Sequence, residues 1–318
     1  MGEFRTTVKA LTSSIESVVL DKSQVIRTAL AAVLAGGHVL MEDVPGVAKT
    51  MLARAIALSS GCTYNRIQCT PDLLPSDITG VSVFNPKTQE FNFRPGPVFA
   101  QILVADEINR ATPRTQAALL EAMAEGQVSI DGRTYKLEQP FIVFATQNPV
   151  EHEGTFPLPE AQLDRFTMRL SVGYPSMFAE MSLLEKTRVA HPIEKVAQVT
   201  DAKTLVKMQA SIKEIFVHEK VREYLLRIVS RTRDSAHLTL GASPRASMML
   251  FRAAQAHAAL AGRAYVLPDD IKTLARPVLE HRLALNPESR LRRVTAQAVL
   301  QDILKETPVP SGTYTGRD

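Results

Sequence analysis

The sequence is poor in cysteine and has no long apolar run, and each absence removes a class of protein from consideration. Its two cysteines, Cys62 and Cys69, stand without a CxxC motif or clustered histidines, which argues against a zinc site and a disulfide framework. Reduced thiols of this kind are typical of a cytoplasmic protein. No apolar stretch approaches the roughly 20 residues of a membrane-spanning helix, and residues 1–11 lack the apolar core of a signal peptide. We therefore expect a cytoplasmic protein without membrane insertion.

The composition is that of an ordinary globular protein. Of the 318 residues, 45% are hydrophobic and 22% are charged, and the chain is long enough for about two domains with buried cores. The net charge of +4 is spread along the chain, and we see no internal repeat or low-complexity segment. Such a mild basic excess permits an anionic partner without requiring one, and a solvated surface of mixed sign explains it more simply.

Short apolar runs alternate with helical stretches over the first 175 residues. One or two amphipathic helices are predicted within residues 12–36. The apolar runs predicted to be strands are residues 38–42, 65–69, 101–105, 140–145 and 168–172. Helical spacing is found at residues 50–60, 72–80 and 112–125. Strands that are apolar throughout and alternate with helices are typical of a parallel sheet buried on both faces, so we predict an α/β domain with the sheet sandwiched by helices.

Two shorter patterns interrupt this alternation, and a purely helical pattern follows it. Residues 81–95 and 127–137 each indicate a β-hairpin, the first turning at Asn85-Pro86 and the second at Asp131-Gly132. After residue 175 the strand signals end, and helices are predicted at residues 177–190, 201–217, 219–232, 244–261, 268–282 and 289–305. We therefore divide the chain into an α/β domain (1–175), an all-α lid domain (176–307) and a flexible tail (308–318).

A candidate phosphate-binding loop follows the first predicted strand of the sheet. A strand, a tight turn with glycine and then Lys-Thr at the start of a helix form the context of a P-loop, in which backbone N–H groups converge on an anion. Lys49 would reach the outer phosphates and the Thr50 hydroxyl would bind Mg²⁺. The residues predicted to bind nucleotide here are Asp43, Val44, Pro45, Gly46, Val47, Ala48, Lys49, Thr50 and Met51.

The match of this loop to the general P-loop pattern is imperfect. Asp43 and Ala48 replace the first and last glycines. A left-handed alanine costs about 1–2 kcal/mol, so the sequence predicts that Ala48 avoids left-handed backbone angles. A charged helix start without a ligand is the alternative interpretation.

Two adjacent carboxylates, Asp106 and Glu107, end the buried strand predicted at 101–105. Open α/β sheets bind ligands at the carboxyl ends of their strands. Asp106 is predicted to hold Mg²⁺ and Glu107 to activate the attacking water as a general base. Capping of the following helix is the alternative, but Thr112 offers a nearer cap for it.

Three further polar residues are candidates for sensing or completing the site. Asn148 follows the strand predicted at 140–145 and could hold the water or contact the γ-phosphate, unless Asn148 with the next proline only starts a turn. Arg165 is the candidate for an arginine supplied to a neighbouring subunit, with a local Asp–Arg pair as the alternative. Arg110 and Arg114 are rivals for that intersubunit role.

Arg245 breaks a local rule in the helical part of the chain. Ser243 and Pro244 are typical of a helix start, so Arg245 falls in the first turn, where the helix dipole disfavours a cation. A bound polyanion would relieve this, which predicts contact with the nucleotide phosphates from the lid. A surface arginine that tolerates the dipole is the alternative.

Four stretches together resemble the MoxR family of AAA+ ATPases. They read EDVPGVAKT at 42–50, FRPGPVFAQILVADEINRA at 93–111, FATQNPVEHEGTFPLPEAQLDRF at 144–166 and GASPRA at 241–246, and the resemblance covers nearly the whole chain. It implies the helix-2-insert branch, with residues 81–95 as the insert and 127–137 as the hairpin before the first sensor. It also implies hexameric rings and turnover of Mg²⁺-bound ATP at the interfaces between subunits. The expected partners are protein clients and proteins with von Willebrand factor A domains.

Three other functions remain open from the sequence. A nucleic-acid remodelling motor is disfavoured because Arg133 and Lys136 of the second hairpin stand beside Asp131 and Glu138, without a basic stripe. A motor subunit of a metal chelatase would share this ATPase core and differ in its client. A scaffold that binds nucleotide without turnover is disfavoured by the intact Glu107.

Overall fold

The computed structural model of the chain describes residues 2–149, 154–187, 192–312 and 314. The strands of its N-terminal part are β1 (Val39–Glu42), β2 (Tyr64–Gln68), β3 (Gly80–Asn85), β4 (Glu90–Pro95), β5 (Ile102–Asp106), β6 (Gln127–Ile130), β7 (Arg133–Lys136), β8 (Ile142–Gln147) and β9 (Met168–Leu170). Five of them form a parallel sheet in the order β2-β5-β8-β1-β9. The prediction of a parallel sheet from these five apolar runs is confirmed.

Both faces of the sheet are buried. Successive side chains of a strand point to opposite sides, so each strand contributes to the core on both faces. Leu103 of β5 and Val143 of β8 belong to one hydrophobic cluster, whereas Val104 and Phe144 belong to the other, and all four are fully buried. The helices of this part are α1 (Gly2–Glu16), α2 (Ser23–Leu34), α3 (Lys49–Ser59), α4 (Pro75–Thr79), α5 (Pro113–Glu125) and α6 (Glu160–Leu163). Apolar residues on both faces of each strand therefore produce the sandwich that the sequence predicts.

The predicted start of the N-terminal helices at residue 12 is wrong. Helix α1 begins at Gly2 and buries Val8, Leu11 and Ile15, which follow one another at helical spacing. Charged and polar residues between them hid this stripe in the sequence. Helix α1 contacts α2, α3 and the C-terminal part of the chain.

Both predicted hairpins are confirmed. Strands β3 and β4 pair antiparallel, as do β6 and β7, and the second turn has Asp131 at φ 50° and Gly132 at φ 73°. Two positive φ angles are those of the turn that matches the twist of a hairpin. The rings of Phe93 and Tyr135 stack with centroids 4.2 Å apart, so the two hairpins touch each other.

The C-terminal part is mainly helical. It contains α7 (Met177–Thr187), α8 (Ala202–Ile212), α9 (Glu219–Arg233), β10 (Leu238–Leu240), α10 (Pro244–Leu260), α11 (Pro268–Leu279), β11 (Ala284–Leu285), α12 (Pro287–Leu291) and α13 (Ala296–Glu306). The small antiparallel pair β10–β11 was not predicted, and its strands are too short to show an alternating pattern. Residues 188–190 of the helix predicted at 177–190 lie outside the described residues.

The helix predicted at 289–305 is wrong in its continuity. Helix α12 ends at Leu291, Arg293 has a left-handed φ of 59°, and Thr295 begins α13 by accepting a hydrogen bond from the Ala298 N–H. An N-cap of this kind starts a new helix inside a continuous apolar pattern. Within the predicted tail, Tyr314 is buried at 7% exposure and packs its ring against His218. The domain boundary near residue 175 stays a prediction.

None of the helices in the described ranges combines the length and the apolar character that crossing a bilayer would require.

Candidate nucleotide-binding site

The loop of residues 43–48 joins the end of β1 to the start of α3. The Lys49 ammonium group donates to the carbonyl oxygens of Asp43 at 2.5 Å and Val44 at 3.2 Å, so its side chain folds back over the loop. Gly46 has a φ of 83°, and a Cβ at this position would meet nothing within 4 Å. Glycine is needed here for its backbone conformation and not for space.

The prediction that Ala48 avoids left-handed angles is wrong. Its φ is 62° and its ψ is 23°. An alanine in this region carries a cost of about 1–2 kcal/mol, and such strain persists only where the surrounding structure determines the conformation. Left-handed residues in a tight loop turn successive N–H groups to one side, which forms a concave site for an anion. The strain is thus part of the shape that a phosphate site needs.

Asp43 fixes the loop to the neighbouring edge strand. Its carboxylate accepts hydrogen bonds from the Gly173 N–H at 2.6 Å, the Ser171 hydroxyl at 2.9 Å and the Val44 N–H at 2.9 Å. Burial acts to raise the pKa of Asp43, but these hydrogen bonds outweigh it and leave the pKa below its usual value. Asp43 therefore positions the loop from behind, and its side chain is committed to the residues after β9.

Thr50 and Asp106 lie side by side, as the sequence predicts for a metal site. The Thr50 hydroxyl is 3.2 Å from each carboxylate oxygen of Asp106, which is 5% exposed at the end of β5. A hydroxyl and a carboxylate are the hard oxygen donors that Mg²⁺ prefers, and Mg²⁺ keeps several waters beside one or two such ligands. The donor set therefore fits a magnesium ion.

Thr146 of β8 completes this cluster and was missed from the sequence. Its hydroxyl oxygen accepts from the Glu107 N–H at 2.8 Å and donates to Asp106 Oδ1 at 3.2 Å. Asn148, the residue predicted at this strand end, is buried at 6% exposure two positions further on. A polar residue inside an otherwise apolar strand, beside the carboxylates, was the available signal for Thr146.

Two side chains of β2 also hold the carboxylates and were missed. Arg66 Nε lies 2.5 Å from Asp106 Oδ2, and Gln68 Nε2 donates to Glu107 Oε2 at 3.0 Å. Glu107 Oε2 is also 3.2 Å from Arg110 Nε. The register of the sheet, which aligns Gln68 with Asp106, brings these groups together. Polar residues at alternate positions of β2 were the only signal in the sequence.

An apolar cavity of about 170 Å³ lies beside the loop. It is lined by residues 46–48, Met51, residues 18–20 after α1, and residues 172–173 after β9. Ligand sites are typically apolar recesses with a few polar groups at one end. This recess, with the loop at its edge, has that character.

Arg165 lies near the amino ends of the parallel strands, whereas the loop lies at their carboxyl ends. It precedes β9, whereas the loop follows β1, and the two strands run parallel with Val39 aligned to Met168. At about 3.3 Å per residue, the positions of Arg165 and Asp43 along the strand direction differ by roughly 20 Å. Arg165 Nη1 donates to the Leu120 carbonyl of α5 at 2.6 Å. Arg165 therefore cannot serve the loop of its own chain.

The structure brings the GASPRA segment to Arg165 and not to the loop of the same chain. The Ser243 hydroxyl lies 3.0 and 3.1 Å from the two carboxylate oxygens of Asp164, the residue before Arg165. Arg245, exposed in the first turn of α10, thus lies on the same side of the molecule as Arg165. The prediction that Arg245 contacts nucleotide phosphates from the lid stays a prediction. Residues 150–153 of the motif at 144–166 lie outside the described residues.

The remaining arginine candidates lie near the carboxylates. Arg110 pairs with Glu107, and Arg114 is exposed in the first turn of α5, whose N-cap Thr112 accepts from the Thr115 N–H. Both therefore lie at the carboxyl ends of the parallel strands, as the loop does.

The chain is similar to known ATPase families over both of its parts. Residues 38–168 match the family described as "ATPase family associated with various cellular activities (AAA)", and residues 230–303 match the AAA lid domain. It is 40% identical to the chaperone MoxR1 of Mycobacterium tuberculosis over 313 residues, covering 96% of this chain and 82% of MoxR1. It is 50% identical to the uncharacterized protein YeaC of Bacillus subtilis, covering 93% of this chain and 92% of YeaC.

A solved structure shows the same arrangement of both parts. The crystal structure of a candidate ATPase from Cytophaga hutchinsonii superposes with a TM-score of 0.91 at 35% sequence identity. The superposition covers 97% of this chain and 96% of that protein.

Proposed function

The chain belongs to the MoxR family of AAA+ ATPases, and we propose that it hydrolyses ATP with Mg²⁺ to drive the remodelling of protein clients. The observation that carries this proposal is a cluster beside a strained phosphate-type loop: the Thr50 and Thr146 hydroxyls both contact the Asp106 carboxylate, and Thr146 also accepts from the Glu107 N–H. A protein that only bound nucleotide would not need a second carboxylate held in this way.

Nucleotide binding is assigned to the loop and its neighbours. Backbone N–H groups of residues 46–48 and of the first turn of α3 would hold the phosphates, and Lys49 would exchange its carbonyl partners for phosphate oxygens. The apolar cavity beside Met51 would take the adenine base. Thr50 and Asp106 would hold Mg²⁺, which neutralises the charge that develops on the phosphate oxygens.

Glu107 is the proposed general base. It would accept the proton of the attacking water, and Asn148 would hold that water in line with the phosphate. In the present arrangement the Glu107 carboxylate is bonded to Gln68 and Arg110. Both contacts are made to Oε2, and a carboxylate has a second oxygen with which it can accept the proton of the water.

Arg165 and Arg245 are proposed to act on the nucleotide of a neighbouring subunit. Both lie near the amino ends of the parallel strands, away from the loop of their own chain. A second copy must therefore present its loop to them. AAA+ proteins are generally oligomeric, and we propose a homo-oligomer, a hexameric ring. The proposed boundary near residue 175, between the α/β domain (1–175) and the lid (176–307), would let nucleotide state tilt one against the other.

The partners and the location are proposed from the family. We propose a cytoplasmic protein that works with a von Willebrand factor A domain partner and acts on protein clients. The hairpin β3–β4 supports a protein client, because Phe84 and Phe91 form an aromatic pair with 49% and 70% of their surfaces exposed. Exposed apolar patches are found at protein–protein contacts.

The test measures ATP turnover against protein concentration for the wild type, Glu107→Gln, Arg165→Ala and an equal mixture of the two variants. We expect cooperative turnover by the wild type, inactivity of each variant and partial recovery in the mixture, since mixed interfaces regain a base and an arginine. Turnover by Arg165→Ala would move the intersubunit role to Arg110 or Arg114. Nucleotide binding without turnover in the concentrated wild type would favour a scaffold, and stimulation by single-stranded DNA would favour a nucleic-acid motor.

A further inference from the structure

We propose that Thr146 is a positioning residue that sets the metal-binding carboxylate and the general base relative to each other through one hydroxyl group. The inference rests on the proposed function, because it assigns Asp106 and Glu107 those two roles. Thr146 itself touches neither the nucleotide nor the water in this proposal and acts only through its neighbours.

The hydroxyl of Thr146 uses its acceptor and its donor capacity at once. It accepts from the backbone N–H of Glu107 at 2.8 Å and donates to Asp106 Oδ1 at 3.2 Å, at a site where Thr146 is 3% exposed. A hydroxyl has one proton to donate, and a bond from it to a carboxylate is strengthened by the charge. A buried hydroxyl that is satisfied in this way has one orientation, which fixes both partners.

The backbone of Glu107 shows why such a hold is needed. The paired register of β5 and β8 ends at Ala105 and Ala145, and Glu107 then turns to a left-handed φ of 56° and ψ of 49°. A non-glycine residue in that region costs on the order of 1–3 kcal/mol and needs support from its surroundings. The Thr146 side chain takes the Glu107 N–H where the ladder of backbone bonds has stopped. The turn separates the direction of the Glu107 side chain from that of Asp106.

The two carboxylates have otherwise different partners. Asp106 contacts Thr50 and Arg66, whereas the Glu107 side chain contacts Gln68 and Arg110. Arg66 and Arg110 are about half exposed at this site, whereas Thr146 is buried within the sheet. Thr146 is thus the one of these partners that joins the Asp106 carboxylate to the backbone from which the Glu107 side chain starts.

The experiment compares Thr146→Val and Thr146→Ser with Thr28→Val, a matched control. Thr28 is also buried and donates its hydroxyl to the Gln24 carbonyl within α2 at 2.8 Å. We expect Thr146→Val to lower kcat by about 10- to 100-fold with KM changed less than about threefold, because misplacement of a catalytic group acts on the transition state. Thr146→Ser should restore kcat to within about threefold of the wild type, and Thr28→Val should match the wild type.

A second readout is independent of turnover. Binding of a fluorescent ATP analogue is titrated with and without Mg²⁺, and Thr146→Val should bind as the wild type does without the ion but gain less affinity when it is added. Thr146→Ala provides a second variant without the hydroxyl if valine lowers the melting temperature. The proposal is overturned if both variants that lack the hydroxyl keep the wild-type kcat and Mg²⁺ response, or if serine is as impaired as valine. If the wild type does not hydrolyse ATP, the proposed function fails, and the Mg²⁺ response alone decides the role of Thr146.

Discussion

Arg282 of the C-terminal part donates from Nε to the Asp164 carboxylate at 2.7 Å, directly beside the proposed intersubunit residue Arg165. The Arg282 side chain is 2% exposed and also donates to the carbonyl oxygens of Asp164 and Phe166. Asp164 is therefore a junction between the sheet, the segment that starts α10, and the turn after α11. The position of Arg165 depends on how the C-terminal part is docked.

Asp164→Ala is expected to destabilise the fold by about 3 kcal/mol, because it leaves the buried Arg282 guanidinium without its charge partner. The free energy of unfolding from denaturant titration measures this. Ser243→Ala, which removes a neutral partner of the same carboxylate together with the side-chain cap of α10, should cost about 1–2 kcal/mol. Equal losses from the two substitutions would contradict the assignment of Asp164 as the partner of a buried charge.

Arg66→Ala is expected to lower the Mg²⁺ concentration that half-saturates nucleotide binding. Arg66 forms an ion pair with Asp106, so Mg²⁺ must displace the Arg66 guanidinium group. Half of the Arg66 side chain is exposed, however, and solvent weakens the pair. The expected change is therefore only about threefold, as for an exposed ion pair. Arg133→Ala, on the second hairpin, is the control for loss of a positive charge. A loss of nucleotide affinity in Arg66→Ala would instead place Arg66 among the ligands of the phosphates.

Ala48→Gly is expected to raise the free energy of unfolding by about 0.5–1 kcal/mol, since glycine relieves the left-handed strain but loses more chain entropy on folding. Ala53→Gly, in the interior of α3, should lower it by about 1 kcal/mol. Urea titrations of the two variants should therefore shift in opposite directions. A destabilised Ala48→Gly would mean that the methyl group itself is needed in the loop.

The fold is expected to lose about 2 kcal/mol of stability between pH 7 and pH 5 through His38 alone. Burial lowers the pKa of His38 from 6.5 to about 4, and its ring is held neutral between the Val143 N–H and the Met123 carbonyl. The unfolded chain binds a proton below pH 6.5 and the folded chain does not, so stability falls as the pH falls. Denaturant titrations across this range should show that the free energy of unfolding falls more steeply with decreasing pH for the wild type than for His38→Gln. An equal pH dependence of the two proteins would exclude His38 as the cause.

The sequence predicted the parts of the site that depend on local order along the chain. Thr50 and Asp106 each follow a buried strand, and parallel strands end at one edge, so their meeting could be inferred. Arg66 and Gln68 could not be assigned in this way, because their contacts depend on which strand is the neighbour of β5 and in which register. The same holds for Asp164, whose partners in the C-terminal part are about 80 and 118 residues away.

Errors arose where tertiary contacts override local preference. The intrinsic cost of a left-handed alanine is correct for an isolated residue, but the bonds that fix Asp43 and Lys49 at the same loop determine the conformation of Ala48. The break at Arg293 is similar, since the apolar pattern of residues 289–305 continues across it. Periodicity identifies the buried face of a segment, but not an interruption that keeps this face.

The stacked rings of Phe93 and Tyr135 join the two hairpins to each other. Helix α5 begins six residues after Glu107 and leads directly into β6, so a shift of the carboxylate turn would move the base of the second hairpin. The stack would pass that shift to β4 and to the aromatic tip at Phe84 and Phe91. In the proposed motor, a small rotation near the bound nucleotide would be enlarged with distance, and the length of a hairpin would set the displacement of its tip.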